Sequence, residues 1–156
     1  MTIRPAVDSD GAQLRALIAP IFAEYENCLF VDEEFPELAA PASHYAAKGG
    51  RLFVAERDGR VVGSLAAALV QPGVGELFKV YASAETRGTG LSHRLYGLGE
   101  NLLRERGARE IVLWSDTRFA RGHAFYEKLG FTREPVVRYL ADVSATWEYF
   151  YRKPLP

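Results

Sequence analysis

The chain has 156 residues, 48% of them hydrophobic and 25% charged, and a net charge of −1. That is the profile of one globular domain that can bury a core without disulfides or metal, so 1–156 reads as a single domain. The balance excludes the broad basic field of a nucleic-acid binder, the lone Cys28 excludes an internal disulfide, and no stretch reaches the ~18 apolar residues of a membrane span.

Thr2 to Ala6 reads as a short strand ended by Pro5. Asp8, Ser9 and Asp10 are N-cap types ahead of an apolar stripe of Leu14, Leu17, Ile18, Ile21, Phe22 and Tyr25. The spacing predicts a helix with one buried face, kinked or split at Pro20. Glu24 to Glu37 is acidic and has no clean period, so it reads as loop and broken helix. A short helix follows through Tyr45 to Lys48, closed by Gly49 and Gly50. Leu52–Glu56 and Val61–Ala66 are strands flanking Asp58-Gly59, a hairpin signal. Glu76–Ala82 is the next strand. A helix then opens at Gly88, with Leu91, Leu95, Leu98, Leu102 and Leu103 on one face and Gly107 at its end. Ile111–Trp114 is a central strand, Arg118–Lys128 a helix capped by Gly130, and Val136–Leu140 and Thr146–Arg152 the closing strands. Strand, helices, three antiparallel-type strands, helix, strand, helix and two strands make a mixed α/β order, without the strict alternation of a doubly wound sheet.

Arg87-Gly88-Thr89-Gly90 joins a strand to a helix. A helix N-terminus offers unpaired N–H groups and a partial positive charge, and two glycines let a diphosphate approach the main chain. Arg87 adds a charged donor. The plainer reading is a tight turn that merely opens a helix. Walker and dinucleotide patterns are excluded, because no Gly-Lys-Ser/Thr follows and the third glycine and downstream acid are missing.

The stretch from Glu76 to Ser92, ELFKVYASAETRGTGLS, resembles the acyl-CoA motif of the GNAT superfamily of N-acetyltransferases. Ala124 to Phe131, AFYEKLGF, is similar to that family's tyrosine-bearing helix ending in Gly-Phe. Ile3-Arg4-Pro5-Ala6, and Phe53 to Gly63 around Asp58-Gly59, follow the same family order, so the resemblance spans nearly the whole chain. It implies a mixed, mostly antiparallel central sheet flanked by helices, and acetyl-CoA as co-substrate without a metal. It assigns Val80 and Ala82 to the pantetheine arm, and Arg87, Gly88, Thr89, Gly90, Leu91 and Ser92 to the phosphates. Ser92 stands where the family usually has Gly or Ala. Phe119 stands where the family often has asparagine, leaving Thr117, Arg118 and Arg121 as candidate replacements.

Acetyl transfer to an amine needs a base, because an alkyl amine with a pKa near ~10.4 is mostly protonated at neutral pH. It needs hydrogen-bond donors for the oxyanion, for which an N–H near Tyr81 or Ala82 is a candidate, and an acid for the departing thiolate. The resemblance makes Tyr126 the acid; packing between helix and sheet is the alternative. It makes Glu76 the base, acting through water; an exposed carboxylate at a strand edge is the alternative. His44, His93 and His123 form no metal-ligand spacing. His93 reads as exposed, Cys28 as a small buried residue, and Asp116 as a helix cap.

The expected acceptor is the primary amine of a small molecule or peptide. Tyr25, Glu26, Phe30, Asp32, Glu33, Glu34 and Phe35 offer an acidic, aromatic surface for a cation, or a solvated loop. Arg138, Tyr139, Asp142, Trp147, Glu148 and Tyr149 form either the opposite wall or a homodimer edge. With no early apolar run resembling a signal peptide, the expected location is the cytoplasm, without membrane or nucleic-acid partners. The competing reading is a regulatory module that keeps the fold and binds acetyl-CoA without turnover.

Overall fold

The computed structural model describes all 156 residues, Met1–Pro156. Side chains along β2 (Gly50–Arg57) alternate between two apolar clusters: Leu52 and Val54 point into one, Phe53 and Ala55 into the other. A strand buried on both faces needs helices on both sides. On one side lie α1 (Gly11–Phe22) and α2 (Pro41–Ala47), bringing Leu14, Ile18 and Tyr45. On the other lie α3 (Leu91–Glu105) and α4 (Ala120–Lys128), bringing Leu91, Leu95, Leu103 and Tyr126. Leu14, Ile18, Leu65 and Leu103 are fully buried, each contributing about 1.5–3 kcal/mol of transfer free energy.

The remaining strands are β1 (Thr2–Pro5), β3 (Arg60–Gln71), β4 (Val74–Ala82), β5 (Glu110–Asp116), β6 (Thr132–Leu140) and β7 (Thr146–Pro154). All seven form one sheet in the order β1-β2-β3-β4-β5-β7-β6. Every neighbouring pair is antiparallel except β4 and β5. This is the mixed, mostly antiparallel sheet expected. Asp58 and Gly59 make the β2–β3 turn, with φ of 52° and 77°, the left-handed pair a two-residue hairpin requires. No helix is long and apolar enough to cross a membrane.

Several boundaries differ from the sequence reading. Pro20 does not split α1: it sits in the last turn, and the helix ends at Phe22, before Tyr25. The helix after the glycine turn starts at Leu91, because Gly90 is its N-cap with φ of 81°. Leu98 is 37% exposed and lies off the buried stripe. The helix expected from Arg118 starts at Ala120. Asp116 holds the intervening turn, accepting hydrogen bonds from Arg118 N at its carboxylate (2.9 Å) and from Phe119 N at its carbonyl (3.0 Å). β3 and β6 are longer than read, since β3 is paired on both sides and β6 pairs with β7 from Thr132 onward.

What positions the site is a parting of strands. β4 and β5 pair only at Val74–Glu110, Gly75–Ile111 and Glu76–Val112, then diverge. The register of β4 against β3 shifts opposite Ser64 and Ala66, where Lys79 has φ of 52°. The Ser64 hydroxyl donates to the Lys79 carbonyl at 2.6 Å, so the bulge leaves that buried acceptor satisfied. Beyond it, one edge of β4 has no strand partner.

Candidate active site

Two cavities open where β4 and β5 part. The first, of 520 Å³, is lined by the end of β4, the glycine turn, the start of α3 and α4. Val80, Ala82, Arg87, Gly88, Gly90, Leu91 and Ser92, seven of the residues the resemblance assigned to the donor, all stand in its wall. Thr89 is outside the wall, its hydroxyl donating to the Thr86 carbonyl at 2.5 Å and tightening the turn. A Cβ built on Gly88 or Gly90 would meet nothing within 4 Å, and both residues have left-handed φ, 79° and 81°. The main chain is therefore bare on the side where the N–H groups of α3 begin, an anion cradle in form. Arg87, Arg121 and Lys128 line this cavity, and no carboxylate does. These residues fit a diphosphate.

The second cavity, of 320 Å³, lies toward α1 and β6–β7. Glu34, Glu37, Glu76, Asp116, Asp142 and Glu148 line it, against Lys79 and Arg138 as its only cations. Most of these acids are engaged. Glu37 pairs with Lys79 at 2.6 Å, Glu148 with Arg138 at 2.7 Å, and Asp142 accepts from Thr146. Glu76 has no hydrogen-bond or ion-pair partner. Burial pushes its carboxyl above the usual 4.5, and nearby Glu148 adds to this, while Arg138 and Lys48 oppose it.

Val80, Tyr81, Ser115, Phe119 and Tyr126 line both cavities. Tyr126 comes from the inner face of α4 and is 6% exposed. Its ring is wedged among Phe125, Phe131 and Tyr151, with centroids 5.7–5.9 Å away. Its hydroxyl has no hydrogen-bond partner in the protein, and burial pushes the phenol pKa up. It stays a proton donor at neutral pH, held where the cavities meet. Tyr81 is the second phenol at the junction, also pushed up by burial. The sequence pattern did not expose it or Ser115; only the parting of β4 from β5 turns both inward.

A roof closes the second cavity. Leu29 N donates to Ser144 Oγ at 2.8 Å, Ser144 Oγ donates back to the Leu29 carbonyl at 3.3 Å, and Val143 N donates to Glu34 at 2.7 Å. Arg118 holds the same turn through the Ser144 carbonyl. Glu34 and Phe35 are thus cavity walls, whereas Glu26, Asp32 and Glu33 face solvent, Asp32 paired with Arg15. Arg138, Asp142 and Glu148 are walls, while Tyr139 and Trp147 pack on each other at a tilt outside.

The other candidates separate cleanly. Phe119 packs against Phe22 and Tyr25, and of its three proposed substitutes only Arg121 reaches the first cavity. Thr117 is held through its amide by the Trp147 carbonyl, and Arg118 turns to the second cavity's roof. His93 is exposed and stacks on Phe125. His123 is buried and donates from Nε2 to the Asp116 carbonyl at 2.9 Å; burial holds its pKa below 6.5, so it is a neutral brace for the turn. Cys28 is buried and its thiol pushed up, the inert small residue expected. No three His, Cys, Asp or Glu side chains cluster as a metal site.

The profile of the acetyltransferase (GNAT) family matches residues 15–131. Among curated relatives, mycothiol acetyltransferase of Thermomonospora curvata is 36% identical over 85 residues, covering 54% of this chain and 29% of the relative. That of Corynebacterium glutamicum is 39% identical over 61 residues, covering 39% and 21%. The chain spans less than a third of the length of these relatives. Among solved structures, an acetyltransferase of the GNAT family from Staphylococcus aureus superposes with a TM-score of 0.84 at 19% identity, covering 99% of both chains. An aminoglycoside 6'-N-acetyltransferase complexed with coenzyme A gives 0.74 at 18% identity, covering 100% of this chain and 98% of its own. At such identities the structures speak for the fold.

Proposed function

The chain belongs to the GNAT acetyltransferase family, and from that premise we propose that it moves an acetyl group from acetyl-CoA to the primary amine of a small molecule by direct attack. One observation carries the reading: two cavities of opposite charge meet at Tyr126. The basic one suits an anionic donor and the acidic one a cationic amine. A roofed space of 320 Å³ favours a small acceptor over a protein surface or a long peptide.

In this reading the turn amides at Gly88 to Ser92, with Arg87 and Arg121, hold the phosphates. The unpaired edge of β4 at Val80 and Ala82 holds the pantetheine arm and aims the thioester at the junction. The amine arrives as a cation and loses one proton to Glu76 through water. Nitrogen then forms its bond to the acetyl carbon, and a β4 amide near Tyr81 or Ala82 faces the oxyanion. The C–S bond breaks and Tyr126 protonates the departing thiolate. The second proton shed by the nitrogen as it becomes an amide restores the phenol, and Glu76 returns its proton to solvent. Release of CoA thiol stimulated by added amines tests the reading, with polyamines, aminoglycosides, amino acids and short peptides as acceptors. Turnover on small cationic amines supports it. Tight acetyl-CoA binding with no turnover across the panel would return the chain to the regulatory-module reading.

The role of Glu76 has its own test. A base must be ionised, and this carboxyl is raised by burial. The kcat profile at saturating amine should therefore fall on the acid side with a midpoint above 4.5. Glu76→Gln should erase that limb and lower kcat about a hundredfold. A limb that survives unchanged in the variant would assign the base elsewhere.

A further inference from the structure

No carboxylate lines the donor cavity, yet two of its three cations are already engaged by one from just outside. Arg87 donates to Glu24 Oε2 at 2.6 Å and Arg121 donates to Glu24 Oε1 at 3.2 Å. Glu24 thus bridges the glycine turn and the start of α4, the two elements that frame the cavity. The carboxyl is held below its usual range, first by the Arg87 hydrogen bond, and the Arg87 guanidinium is raised in return. Glu24 lies outside the cavity wall, while its neighbours Ile21 and Tyr25 lie in it.

From this geometry we propose that Glu24 is a built-in competitor for the donor's phosphates. The claim rests on the acetyl-CoA reading above, but it concerns the arginines. A guanidinium turned to Glu24 has its charge partly neutralised, with one terminal nitrogen of each arginine donating to the carboxylate. A diphosphate approaching the turn exchanges with the carboxylate for the same N–H groups. The exchange limits donor affinity and hands the carboxylate back to the arginines when CoA departs. It also ties the donor to the segment that roofs the acceptor cavity, because Glu24 and Leu29 lie on one short stretch after α1.

The competing role for such a carboxylate is to orient the arginines, and the two roles predict opposite signs. Titration calorimetry on the wild-type chain and Glu24→Gln separates them, with acetyl-CoA, inorganic pyrophosphate and acetyl-pantetheine, which has no phosphate, as probes. The Arg87–Glu24 pair is partly exposed, 33% and 30%, so the effect is modest: Kd for acetyl-CoA and for pyrophosphate should fall about two- to fivefold in the variant. Kd for acetyl-pantetheine should not move. Unchanged or weaker binding of both phosphate probes would overturn the proposal and leave Glu24 an orienting residue. A protein that binds pyrophosphate but not acetyl-CoA would refute the donor reading alone, and the pyrophosphate ratio would still decide Glu24.

Discussion

Tyr126→Phe should lower kcat by about a hundredfold or more while leaving the Kd for acetyl-CoA nearly unchanged. The phenol donates no hydrogen bond within the protein, so its removal strands no partner. Three rings, Phe125, Phe131 and Tyr151, hold the remaining phenyl group in place. The variant therefore keeps the wall of both cavities and loses only the proton. Steady-state kinetics together with direct titration of acetyl-CoA check the result. Tyr81→Phe is the internal comparison, since Tyr81 is the other phenol that both cavities share. An unchanged kcat in Tyr126→Phe would remove Tyr126 from the acid role. A large loss in Tyr81→Phe alone would move that role to β4.

Gly90→Glu should weaken acetyl-CoA by about a hundredfold or more, near 3 kcal/mol. Two effects add. At φ of 81° a residue with a Cβ carries a strain of about 1–2 kcal/mol, which loosens the turn. The larger effect is electrostatic. The added side chain meets no protein atom within 4 Å of its Cβ, so the carboxylate is free to extend into the space around the turn. It then occupies the place of a phosphate and repels the donor. Gly90→Ala carries the strain without the charge and should lose far less affinity. Calorimetry, with thermal unfolding to show that both variants fold, gives the comparison. Wild-type affinity in Gly90→Glu would place the diphosphate elsewhere.

The wall of the first cavity was legible in the sequence because its information is local. Arg87 to Ser92 lie on one turn, and Val80 and Ala82 lie on the strand that runs into it. Asp58-Gly59 marked its hairpin for the same reason: the backbone conformation is demanded by two adjacent residues. The wall of the second cavity was not legible, because α1, the acidic loop and the β6–β7 region close over β4 and β5 from distant parts of the chain. Which acids matter depends on pairing across the cavity. Glu26, Asp32 and Glu33 read like Glu34, yet only Glu34 turns inward. The resemblance pointed to Glu76, but that it alone lacks a partner shows only once Glu37 and Glu148 are seen to be paired with Lys79 and Arg138. The expected split at Pro20 did not occur because that residue stands in the last turn, where little helix remains to be interrupted.

The tie between Leu29 and Ser144 joins residues 115 positions apart. Closing so long a loop costs chain entropy that contacts between nearer residues do not. The first cavity draws almost all its wall from residues 80 to 128 and does not depend on that tie. The second cavity does depend on it, through Leu29 and Ser144. Substitutions between Leu29 and Phe35, or in the β6–β7 turn, therefore reshape the second cavity without touching a residue that lines the first.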